Sequence, residues 1–407
     1  MKKKYWGFIM LLLVPALLLL GREGVAADRD KKDFPGPTPK MLTMTALPIK
    51  TIATIGTANM GEYLLKAEGT NIRFVPHATG LARLAPVRAG SIDFVGGSNA
   101  MVYYQWGLRE AADRAWGPQP LRLTALAMRP EGGLGMATNK PDKYKSYRDI
   151  NRATKIAQVP GMEFWNTYQK IIIAWNGFTL DDMDKVKIYP ALSDAVRGFK
   201  AGEFDIIGLG LIAPVFLELE GMGDLHLIKN PPCDDPKTTK LMYSLADPYR
   251  TNYRACGFTG PLGISKDKPY PTLGYPNPLI AAYPQKDKST VYHFTRMVCQ
   301  HWEKYVDLYP LVLQGYSLKN QLGRPYNFPW HEGAVAYFKE VGAWTEKMEA
   351  RNQKLIQLQE KMQELWKQAI LDADKKGVPK KEWKEFWLKR AVPYVNSYLD
   401  EHIFPLW

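Results

Sequence analysis

The chain has 407 residues, 46% of them hydrophobic and 23% charged, which is the composition of a folded globular protein and excludes a disordered one. A formal net charge of +13 raises polyanions, acidic surfaces and small anions as partners. Three cysteines exclude a disulfide-built scaffold and a four-cysteine metal site.

Residues 1–27 have the layout of a cleavable secretory signal. Lys2, Lys3 and Lys4 form a basic start, Phe8 to Leu20 an apolar run too short for a span, and Val25-Ala26-Ala27 a small-residue cleavage site. The alternative is an uncleaved anchor. A cleaved signal places the chain in the periplasm, starting at Asp28, and argues against nucleic acid as partner. Residues 28–47, with Pro35, Pro37 and Pro39, read as a flexible lead-in.

The apolar run Ile49 to Ile55 then reads as the first strand. Gly56-Thr57-Ala58-Asn59-Met60-Gly61 reads as a small-residue turn opening a helix near Tyr63. Such a turn presents helical N–H groups beyond the strand end, where an anion can bind. A second strand–turn–helix follows at Lys155 to Val159, Pro160-Gly161-Met162-Glu163 and Trp165 to Trp175.

Arg88-Ala89-Gly90-Ser91-Ile92-Asp93-Phe94-Val95-Gly96 recurs 112 residues later as Lys200-Ala201-Gly202-Glu203-Phe204-Asp205-Ile206-Ile207-Gly208. Each copy is a helix end, an Ala-Gly cap and a strand that starts at Asp and ends at Gly. Upstream, extended segments (Ile72 to Val75; Val186 to Tyr189) and short helices (Leu81 to Arg88; Asp194 to Lys200) continue the match. Two α/β lobes of similar wiring follow from this, with loops meeting at an interlobe cleft.

The expected layout is a first lobe from 48–133 and 264–332, a second from 134–263, and C-terminal helices over 333–407. Crossings near Glu131–Gly135 and Thr259–Gly263 carry the hinge glycines. In the tail, Val341, Trp344, Met348, Leu355, Leu358, Met362 and Leu365 keep a 3–4 spacing that Arg351 interrupts. That stripe packs on the lobes or forms the seam of a homodimer.

Chemical motifs are sparse. There is no G-x-S-x-G elbow, no phosphate-binding G-x-x-x-x-G-K loop and no G-x-G-x-x-G. The six histidines lack zinc-protease spacing, so no catalytic residue, metal or cofactor is expected. Cys233 and Cys256 either form a disulfide or stay as thiols.

The repeat, the signal and the turns together resemble the TAXI branch of solute receptors for tripartite ATP-independent periplasmic (TRAP) transporters, over about residues 48 to 342. The family's first turn stands as Gly56 to Met60, its basic-x-Gly-x-x-Asp element as Arg88 to Asp93 and again as Lys200 to Asp205, and its second-lobe turn as Val159 to Phe164. Its late motif stands as Pro329-Trp330-His331-Glu332-Gly333-Ala334 and Tyr337-Phe338-Lys339-Glu340-Val341-Gly342. The resemblance implies a two-lobed class II periplasmic-binding-protein fold with a long C-terminal helical extension. It also implies a non-enzymatic receptor that passes an organic acid to membrane permease subunits. A sensor or receptor for another membrane partner, or a structural or enzymatic periplasmic protein, are the alternatives on the same fold.

The expected ligand residues are Thr57, Ala58, Asn59, Met60, His77, Thr79, Ser98, Asn99, Arg129, Gly161, Met162, Glu163, Phe164 and Phe258. Every cation between residues 71 and 130 is Arg, and Arg129 ends a strand at the crossing, so it is the expected carboxylate clamp, either on ligand or in a structural pair with Glu131 or Glu163. Met60, Met162, Phe164 and Phe258 suggest an apolar or aromatic ligand body.

Overall fold

The structure, a computed structural model, describes residues 34–47, 49, 51–77, 79–97, 100–128, 133–159, 163–212, 214–221, 223, 225–230, 253–257, 262–265, 267–274 and 276–403. Residues 1–37 and 38–407 are two compact units; both lobes and the C-terminal helices belong to the second. The signal segment 1–27 lies outside the described residues.

The first lobe begins earlier than the sequence suggests. Strand β1 is Met41–Ala46, inside the segment expected to be a flexible lead-in, and helix α1 is Ile52–Glu68. Ile49 to Ile55 is therefore not a strand. Alternating burial of Leu42 and Met44 makes the lead-in's end a core strand. Strand β2 (Asn71–Pro76), helix α2 (Gly80–Arg88), strand β3 (Phe94–Gly97) and strand β4 (Arg122–Leu126) follow.

The chain then crosses to the second lobe as β5 (Leu134–Thr138), β6 (Ile156–Gln158), helix α3 (Glu163–Trp175), β7 (Val186–Ile188), helix α4 (Leu192–Lys200), β8 (Ile207–Gly210) and β9 (His226–Leu227). Sheet β8-β5-β9 and the parallel pair β6-β7 carry this lobe. Its core includes Trp165, Phe199, Phe204 and Phe216. The antiparallel pair β10 (Tyr253–Gly257) and β11 (Tyr270–Gly274) leads back.

The return crossing differs from expectation. Tyr270 packs in the second-lobe core, and its hydroxyl donates to the Ile228 carbonyl at 2.8 Å. Thr272 donates to the Leu134 carbonyl. So β11 still belongs to lobe 2, and the chain re-enters lobe 1 between Gly274 and strand β12 (Leu279–Ala282), not at 263–264.

In lobe 1 the order is β2-β1-β3-β12-β4, with β1 parallel to β2 and β3, and β12 antiparallel to β3 and β4. The late strand β12, inserted between β3 and β4 after an excursion through another lobe, makes this a two-lobed class II periplasmic-binding-protein fold. Side chains alternate across the sheet. Phe94 and Ile280 face helix α5 (Lys288–Gln300), while Val95 and Leu279 face the opposite layer.

That opposite layer is largely the C-terminal extension. After the short helix α6 (Leu318–Leu322) come α7 (Glu332–Glu340), α8 (Glu346–Lys375) and α9 (Trp383–Tyr398). A helix boundary breaks the 3–4 spaced run from Val341 to Leu365: Gly342 takes φ +69°, and Thr345 caps α8 by accepting from the Met348 N–H at 3.2 Å. Leu355, Leu358, Met362 and Trp366 are buried on lobe 1 beside Tyr103 and Trp106. Leu355, Leu358 and Met362 of the stripe weighed as a dimer seam are thus covered within the chain, while Val341 stays exposed. Trp383 and Trp387 donate their indole N–H groups to the carbonyls of Ala112 (2.9 Å) and Gly107 (2.6 Å).

Candidate functional site

In an α/β sheet, ligands bind beyond the carboxyl ends of the strands, where loops meet helix N-termini. In lobe 1 the turn after β1 runs from Leu47 to Thr51. Thr51 Oγ1 accepts from the Thr54 N–H at 3.3 Å, and Thr54 Oγ1 donates to the Leu47 carbonyl at 2.9 Å, so the turn closes on itself. Helix α1 starts there with no acidic residue in its first turn, which leaves its positive end uncompensated.

This corrects the first part of the expected site. Thr57, Ala58, Asn59 and Met60 are not in a turn but in the second and third turns of α1. Thr57 donates to the Ala53 carbonyl at 2.7 Å, Asn59 Nδ2 to the Leu308 carbonyl at 3.3 Å, and Met60 is fully buried. Met60 is core, while Thr57 still lines, with Leu47, Thr54, Phe74 and Gly96, a small cavity at the strand ends. The signal that could have found the real turn is Thr51 followed three residues later by Thr54 at the start of an apolar helix face.

His77 and Thr79 do reach the strand ends. The His77 N–H donates to the Ala46 carbonyl at 3.0 Å, which sets the loop after β2 against the turn after β1. Thr79 caps α2 by accepting from the Ala82 N–H at 3.3 Å. Arg83, buried, donates to the His77 carbonyl at 3.1 Å, and burial pulls its pKa below the usual arginine value. Strand β3 lies close to β1 because Gly96 has no side chain; a Cβ there would sit 2.5 Å from the Thr45 carbonyl oxygen. Ser98 and Asn99 follow this strand and lie outside the described residues.

At the crossing, the Ala127 N–H donates to the Pro278 carbonyl at 2.9 Å and the Met128 N–H to the Gly315 carbonyl at 3.2 Å. These fix the backbone up to Met128; Arg129 lies outside the described residues. In lobe 2, Asn166 pins the end of β6 from both sides, accepting from the Val159 N–H at 3.1 Å and donating to its carbonyl at 2.9 Å. Gly161 and Met162 lie outside the described residues, and Glu163 and Phe164 open α3 with side chains that also lie outside them. Phe258 and Cys233 lie outside as well, and Cys256 is in β10 without a described side chain.

Three other lobe 1 arginines are engaged within the protein. Arg88 lies over the Trp116 ring at 5.2 Å, Arg109 over Tyr103 at 3.6 Å, and Arg114 pairs with Asp374 of α8 at 2.5 Å. Among the described residues, no group of three His, Cys, Asp or Glu is placed to hold a metal, and no helix is long and apolar enough to cross a membrane.

No protein-family model matches the chain, and no curated protein matches it. Solved structures similar to it include the periplasmic aliphatic sulphonate binding protein SsuA of Escherichia coli, with 14% identity and TM-score 0.41 over 79% of this chain and 87% of that one. PhnD1 of Prochlorococcus marinus, solved with methylphosphonate, gives 11% identity and TM-score 0.40 over 78% and 97%. The second substrate binding domain of Lactococcus lactis GlnP, in open conformation, gives 12% identity and TM-score 0.38 over 69% and 97%. The fold assignment stands on the strand order and crossings rather than on these likenesses.

Proposed function

We propose that this chain is a periplasmic solute-binding receptor of the TAXI type that captures an organic carboxylate between its lobes and delivers it to a TRAP-type secondary transporter. The supporting observation is two lobes that each carry a parallel strand followed by a helix, β1 by α1 and β6 by α3. Two helix N-termini on opposite lobes suit an anion held in a closing cleft. His77 and Thr79 line the lobe 1 rim in this reading, with Ser98, Asn99 and Arg129 beside them and Gly161, Met162, Glu163, Phe164 and Phe258 as the facing residues of lobe 2. Arg129 supplies the bidentate clamp.

Mass spectrometry of what co-purifies with protein recovered from its native compartment tests the solute class directly. Thermal shift with dicarboxylates, aromatic acids and branched-chain acids tests it a second way, since a ligand stabilises by RT ln(1 + [L]/Kd). A carboxylate that stabilises wild type and is bound as tightly by Arg129→Ala removes the clamp. Turnover of the bound compound removes the receptor reading in favour of an enzyme.

A further inference from the structure

Arg351 of α8 is 9% exposed, on the face that meets lobe 1. Its Nη1 donates to the Tyr326 carbonyl at 2.6 Å and its Nη2 to the Asn327 side-chain oxygen at 2.8 Å. Both acceptors are neutral. Its Nε has no partner and is sealed from solvent. Burial alone lowers its pKa, with no carboxylate among the described residues acting on it. A buried guanidinium without a counterion is costly, and proteins normally pair such charges.

This arginine lines a cavity of about 200 Å³ between the loop 324–330, the end of β4 and the first turns of α8. Arg324 and Lys347 add two more cations to its lining, and the described lining residues include no acid. The walls are aromatic and held in place. Trp330 packs edge-on against Phe338 at 4.9 Å, and Phe338 stacks on Trp344 at 6.0 Å. The Trp330 backbone N–H donates to Asn352 at 2.7 Å, and the Trp344 indole donates to Glu349 at 2.8 Å. The pocket is thus preformed and apolar on its sides, with the Arg351 guanidinium on its α8 side.

We infer that this cavity is a second ligand site, separate from the interlobe cleft, for a small carboxylate with an aromatic or apolar body. The carboxylate faces Arg351 and supplies the missing counterion, while the body lies between Trp330, Trp344 and Met348. The size suits a single ring rather than a larger molecule. The site does not depend on what the cleft binds.

Calorimetric titration with phenylacetate and with its neutral amide, phenylacetamide, tests the site on the full chain. The acid is expected to bind wild type at least about tenfold more tightly than the amide, the scale of one hydrogen bond to a charged group. Arg351→Gln is expected to weaken the acid about tenfold or more and to leave the amide unchanged. Met348→Trp, which fills the cavity and keeps Arg351, is expected to weaken both. Equal binding of acid and amide by wild type overturns the site even if the Arg351 variant fails to fold. Undiminished binding of the acid by both variants, or no binding to wild type at about 10 mM, overturns it as well.

Discussion

Thr43 and Asp93 lock the neighbouring strands β1 and β3 of lobe 1 together: the carboxylate accepts from the Thr43 N–H at 2.7 Å and from its hydroxyl at 2.8 Å, and the Asp93 N–H donates back to that hydroxyl at 3.0 Å. The repeat copies this device. Asp205 accepts from the Lys155 N–H at 3.1 Å, and the same 112-residue offset separates Thr43 from Lys155 as separates the two aspartates. Each carboxylate also meets a lysine from elsewhere in its lobe, Lys286 for Asp93 and Lys140, at 2.5 Å, for Asp205. The repeat thus carries a structural anchor, not a ligand contact. Asp205 is 1% exposed and also receives the Tyr144 hydroxyl at 2.7 Å, so Asp205→Asn is expected to cost about 2–3 kcal/mol in urea unfolding. A loss under about 0.5 kcal/mol would show that the anchor is dispensable.

Glu68 gives an acid-side prediction. Arg296 meets it bidentately at 3.0 and 2.8 Å, and His301 Nε2 lies 2.6 Å away. These bonds, that from Arg296 first, outweigh burial and hold its pKa at about 2. A lowered carboxylate pKa stabilises the fold fully above about pH 4.5, and that contribution fades as pH falls toward 2. Glu68→Gln is expected to lose about 3 kcal/mol at pH 7, with the gap to wild type closing by pH 2–3. A gap that is the same at both ends of that range would contradict the ion-pair account.

His331 works on a different interval. Its burial, then the nearby Arg122, push its pKa down to about 4, so the folded protein keeps it neutral. The unfolded chain takes up a proton near pH 6.5, so stability falls as pH drops from 6.5 to 4. His331 Nδ1 caps α7 by accepting from the Gly333 N–H at 3.1 Å, a role an Asn side chain can fill. His331→Asn should therefore keep the helix and flatten the melting-temperature profile between pH 4 and 6.5. An unchanged slope would place the titration elsewhere.

Gly333 sets a steric test next door. A Cβ there would lie 2.3 Å from the Lys288 carbonyl oxygen and 2.8 Å from the Tyr292 nitrogen, so α7 can approach α5 only without a side chain. Backbone atoms cannot swing aside, and Gly333→Ala is expected to destabilise by about 2–3 kcal/mol despite alanine's better helix propensity. A thermal midpoint at or above that of wild type would mean the helices can part at little cost.

Much of the fold is legible in the sequence because a repeat constrains many elements at once. The two repeat helices fall where the pattern puts them, as do β7 and α3, while strands β3 and β8 sit one and two residues later than the Asp-to-Gly reading. The slip at β1 has a local cause. Ile49, Ile52 and Ile55 look like strand residues, but Ile52 to Met60 are helical, and the true strand hides its alternation in Thr43 and Thr45. The site was less legible for the same reason: a turn placed ten residues late turns core residues such as Met60 into apparent ligands. Arg351, which seemed only to interrupt an apolar stripe, is a buried donor to the loop 324–330. The late His331 is placed by capping α7 through Nδ1.

The extension also settles which half of the molecule is the heavier. Trp366, Trp383 and Trp387 interlock edge to face at 4.7–4.9 Å and reach the lobe 1 backbone at Gly107 and Ala112, while Arg114 ties to Asp374. Helices α8 and α9 therefore travel with lobe 1 as one body. In the closure that the proposed function calls for, lobe 2 would move relative to that body, and a fluorophore on α9 would serve as the reference point for its motion.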